Sequence, residues 1–141
     1  MPALLAEVKA IRADVREAAR MGTRSQLLLG RVQLQQLHLA HLDQRLALAS
    51  ARRIDAAKDR AATAAQLQDL DRRRADELSA DERNAVEADR RQLKSHLQEQ
   101  QSIEDQRRRE ENELSSALSA EEESLRQLTA RLDALEARLG Q

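Results

Sequence analysis

The chain has 141 residues, with 40% hydrophobic and 35% charged side chains, no aromatic residue and no cysteine. This inventory argues against a thick globular core and excludes disulfides and thiolate metal sites. With 24 basic side chains set against 25 acidic ones, no strong field draws in nucleic acid, an acidic membrane or a polyanionic substrate.

Apolar content comes mainly from Leu and Ala, which together with Glu, Gln and Arg is the composition of long helices closed on a narrow seam. Pro2 suits a first helical turn, and Leu4, Val8, Ile11, Val15 and Ala18 follow at spacings of four and three, which predicts a first helix over about 3–21. Glu7 and Lys9 interrupt the opening apolar run before a signal-peptide core develops. No stretch approaches the about 20 apolar residues of a membrane span, so the expectation is a cytoplasmic protein. Gly22 is predicted to end the first helix, with Thr23 and Gln26 capping the next.

A heptad frame then runs through Leu28, Val32, Gln35, Leu39, Leu42, Leu46, Ala49, Arg53, Ala56, Arg60, Thr63, Leu67 and Leu70 to Arg74, predicting a second helix over about 24–77. Another runs from Val86 through Arg90, Leu93, Leu97, Gln100, Glu104, Arg107, Glu111, Leu114, Leu118 and Glu121 to Leu139, predicting a third over about 80–139. The frames do not join, because the step from Glu77 to Val86 is nine residues, which threes and fours in heptad order do not provide. Ser79 and Glu82 fit a capping box, so a tight turn is predicted at about 77–80. Reflection about Ala80 then pairs Leu67 with Leu93, Leu46 with Leu114 and Leu28 with Leu132. The alternative is one uninterrupted helix in a parallel dimer, favoured by the absence of Gly and Pro from "DELSADER".

The fold predicted is all-α: a single elongated domain over 1–141, a long antiparallel coiled-coil hairpin whose short N-terminal helix lies back along 24–42 to make a three-helix bundle at the base. This arrangement explains why "QLLLGRVQLQQLHLAHL" is apolar on more than one face, and it sets Gly30 against Val15, where helices could approach closely. Leu29, Leu37 and Leu48 fit neither seam. They point to self-association or to the binding of a partner protein, and a homodimer is expected.

Candidate sites are few. His38 and His41, at i and i+3, could present two imidazoles to a metal, but His96 lies far along the hairpin, so a third histidine is missing. No metal or other cofactor is predicted. Arg72, Arg73 and Arg74 sit at the tip, where they could grip an acidic protein partner. Acids flank the basic clusters and no aromatic residue can stack on a base, which argues against nucleic acid as a partner. Halfway along the seam, Arg53, Ala56 and Arg60 meet Gln100, Glu104 and Arg107 where leucines would be expected, a polar stretch that fixes register at a cost in stability. No nucleophile with a base, no phosphate loop and no roomy apolar pocket is present, so the chain reads as a non-enzyme. The function expected is that of a spacer or docking arm in a protein assembly. Two alternatives are a metal-binding or pH-sensing bundle using His38 and His41, and a membrane-bending helical dimer.

Overall fold

The computed structural model describes residues 2–140. It contains two helices, α1 (Pro2–Arg74) and α2 (Ala80–Leu139), and no strand among the described residues. The chain divides into two compact units: residues up to Leu42 with those from Ala117 onward, and residues Asp43–Ser116.

In the Asp43–Ser116 unit the chain doubles back through residues 75–79. The last turn of α1 closes when the amides of Ala75 and Asp76 donate to the carbonyls of Arg72 and Arg73, both at 3.1 Å. This tightened i→i+3 turn ends the helix at Arg74, earlier than the predicted 77. The expected capping box is formed: the Glu82 amide donates to Ser79 Oγ at 3.3 Å, and the Ser79 amide to Glu82 Oε2 at 3.0 Å. Two backbone donors that α2 would otherwise leave free are thereby satisfied.

Cross-helix ion pairs fix the register of this hairpin. Arg53 pairs with Glu111, Arg60 with Glu104, Asp71 with Arg90 and Arg74 with Glu87. Partner numbers fall on α2 as they rise on α1, as reflection about Ala80 requires. The heptad positions from Leu46 to Leu70 and from Val86 to Leu114 are all at least half-buried. Ala49, Thr63 and Glu104 are the most shielded, at 6%, 5% and 7% exposure. The Thr63 hydroxyl donates to the Asp59 carbonyl at 3.1 Å, so its burial leaves no polar atom unsatisfied.

The other unit continues the frame. Val32, Leu42 and Leu132 are buried, and Leu28, Gln35, Leu39, Leu118, Glu121, Leu125, Leu128 and Leu135 are half-buried. The Gln35 side-chain amide donates to the Glu121 carboxylate. Each buried leucine or valine contributes about 1.5–3 kcal/mol, and no described side chain is more than 98% buried, so stability is spread over many partial contacts. Leu139, the last position of the predicted frame, is 42% exposed.

The predicted break at Gly22 is absent, and with it the three-helix base. α1 runs unbroken through Gly22 and Gly30, neither of which has a positive φ. Thr23 does not cap a new helix; its hydroxyl donates to the Ala19 carbonyl at 3.0 Å, one turn back in the same helix. A lone glycine costs a helix only about 1 kcal/mol, and good helix formers on both sides outweigh it. Every residue from Pro2 to Arg20 is exposed, so among the described residues the segment expected to fold back is covered by no other part of the chain. A Cβ added at Gly30 would meet nothing within 4 Å, and Val15 is not its neighbour.

Candidate interaction surfaces

The hairpin tip places three arginines in the last turn of α1, where their charge favours the negative end of the helix dipole. Their surroundings separate them. Arg74 Nε lies 3.0 Å from Glu87 Oε1, beside the seam position Val86, and is held to α2. Arg72 makes a 3.6 Å contact to Asp69 within its own helix and keeps 79% of its side chain exposed. Arg73 lines an open groove with Gln66, Asp69, Leu70, Asp89, Leu93 and His96, among others. Arg72 and Arg73 are both exposed, and the groove that Arg73 lines also includes the seam residues Leu70 and Leu93. Glu87 as a partner of Arg74 was legible only as an acid next to a seam residue.

The polar stretch of the seam is built from charge pairs set one helical turn off level. Arg53 reaches Glu111 rather than Arg107, and Arg60 reaches Glu104 rather than Gln100, because the long arginine side chain slants along the axis before it meets a carboxylate. Glu104 also accepts from Arg108 at 3.4 Å, while Arg107 turns to Glu110 on its own helix at 3.0 Å. Gln100 Nε2 contacts His96 Nε2 at 3.1 Å, and its buried Oε1 has no hydrogen-bond partner. An open groove beside this stretch is lined by Arg52, Asp55, Asp59, Ile103 and Arg107 together with His96 and Gln100.

The leucines left outside the seam are exposed: Leu29 by 47%, Leu37 by 69% and Leu48 by 52%. Leu27 and Leu34, at 64% and 68%, are two more that the prediction did not single out. They were legible as members of the same apolar excess. The two candidate histidines have different neighbours. His38 Nε2 lies 3.9 Å from Glu121 Oε1, and His41 is exposed. Among the described residues no group of three or more His, Asp or Glu side chains is arranged to hold a metal ion.

Among the described residues no helix is long and apolar enough to cross a membrane. No protein-family model, curated protein or solved structure matches the chain.

Proposed function

We propose that the protein is a non-enzymatic interaction protein in which α1 and α2 twist together as an antiparallel coiled coil, serving as a spacer or docking arm in a cytoplasmic protein assembly. One observation carries this reading. The shielded file from Leu46 to Leu70 and from Val86 to Leu114 leads to a tip where Arg72 and Arg73 remain outside the seam. A core one file deep holds a geometry and has no room for a substrate. At the tip, the exposed guanidinium groups of Arg72 and Arg73 offer forked donors that suit the carboxylates of an acidic protein surface. Copies of the chain associate through apolar side chains that the seam leaves exposed.

The test is a photo-crosslinking residue placed at Gln66, beside Arg73 in the tip groove, of the full chain in its native host, with the same group at Lys58 as control. Expected is one protein captured from the tip position and not from the control, and lost when Arg72→Glu and Arg73→Glu are introduced. Capture that survives both charge reversals, or equal capture at both positions, overturns the docking role of the tip.

A further inference from the structure

The first nineteen residues of α1, 2–20, carry an apolar stripe that no described residue covers. Leu4, Val8, Ile11 and Val15 are 59%, 42%, 57% and 62% exposed, although their spacing is that of a coiled-coil seam. A stripe so regular on an otherwise charged helix is the face that a second helix covers.

We infer that residues 4–18 pair in parallel and in register with the same residues of a second copy of this chain. In the heptad, Leu4, Ile11 and Ala18 fall at d, and Val8 and Val15 at a. Val8 and Val15 at a, with Leu4 at d, follow the pattern of parallel two-stranded coils, a preference to which Ile11 and Ala18 at d do not add. Charge selects the same arrangement. Glu7 precedes the seam at g and Arg12 follows it at e, so in a parallel register each Glu7 faces Arg12 of the other copy, and twofold symmetry makes the pair twice. An antiparallel register would set Glu7 against Asp14, two like charges.

The same frame continues through Gly22 and Ser25 to Leu29, giving a place to a leucine that the α1–α2 seam leaves out. This pairing deepens the self-association reading above and is independent of docking at the tip. A rival apolar face, Leu27, Leu34 and Leu37, has Gln26, Arg31, Gln33 and His38 at its flanks and no opposite charges to align a partner.

The experiment is sedimentation equilibrium on the full chain, whose single-chain mass is 15.9 kDa. A dimer is expected, with Glu7→Arg weakening its Kd by about tenfold and Arg12→Glu in the same chain restoring it. Because the chain has no cysteine, Leu4→Cys provides a unique probe of direction: a disulfide between the two copies forms under mild oxidation only if the helices run parallel in register. Helical circular dichroism is expected to be retained in every variant, since residues 4–18 lie outside the α1–α2 seam. A monomeric chain, a dimer indifferent to Ile11→Asp but dissolved by Leu37→Asp, or a dimer that never links through position 4 would overturn the pairing. Each of these results leaves the tip-docking reading to its own crosslinking test.

Discussion

Arg60 donates its Nε to the carboxylate of Glu104 across the hairpin, and Glu104 is 7% exposed at a position where the heptad frame calls for leucine. The Arg60 side chain keeps 38% exposure, so water screens one side of the pair. Arg60→Ala removes a partner from a buried carboxylate that retains only Arg108, and is expected to lower stability by about 1–2 kcal/mol after allowance for solvent screening. Replacing both residues together, Arg60→Leu with Glu104→Leu, is expected to leave stability unchanged or raise it by about 1–4 kcal/mol. Urea denaturation of the three proteins checks both, and a double variant weaker than Arg60→Ala contradicts the account.

The polar stretch is also expected to open more readily than its surroundings. Arg53, Arg60, Gln100 and Glu104 take positions that leucines would fill, and the Oε1 of Gln100 is buried without a partner. Amide exchange is expected to be faster in 52–60 and 100–110 than in 63–70 and 90–97. Equal protection of both sets would show that ion pairs hold the helices as firmly as leucine does.

At the turn, stability rests on a reciprocal pair of side chain to backbone bonds. Ser79→Ala removes the 3.3 Å bond from the Glu82 amide and is expected to cost about 1 kcal/mol, read as a lower melting temperature. Glu82→Ala removes the return bond to the Ser79 amide and is expected to cost a similar amount. The two losses should not add fully, because each side chain orients the other.

Gly22 gives a direct check on the continuity of α1. With a helical φ and nothing within 4 Å of an added Cβ, Gly22→Ala is expected to stabilise the protein by about 1 kcal/mol. A helix ending at Gly22 in the left-handed conformation would instead be strained by alanine, and the melting temperature would fall.

Much of the hairpin was legible because two independent signals agreed at the same place. The nine-residue phase break located the turn, and Ser79 with Glu82 supplied its chemistry. Heptad spacing from Leu28 to Leu70 then identified the shielded positions, since burial along a helix against one partner follows its period. At Gly22 only one signal was present. A glycine and a threonine were read as a stop and a cap, but threonine can bond one turn back and leave a helix intact, and nothing local tells these two uses apart. Apolar excess on residues 26–42 showed that a further face needs covering, but periodicity cannot say whether the cover belongs to the same chain. The diagonal ion pairs were half legible. Arg53, Arg60 and Glu104 were expected at the seam, but Glu111 was not expected to meet Arg53, because the one-turn offset depends on side-chain reach, which spacing along a backbone does not encode.

In the Asp43–Ser116 hairpin, no described side chain is sealed on every side, and the shielded positions form one ladder along the two helices. Melting in such a ladder travels: it starts where rungs are weakest and runs outward, as a zipper parts from a damaged tooth. A force that draws the two helices apart would therefore be answered by one rung at a time, and the force at which the hairpin yields would be set by its local chemistry, with little help from its length.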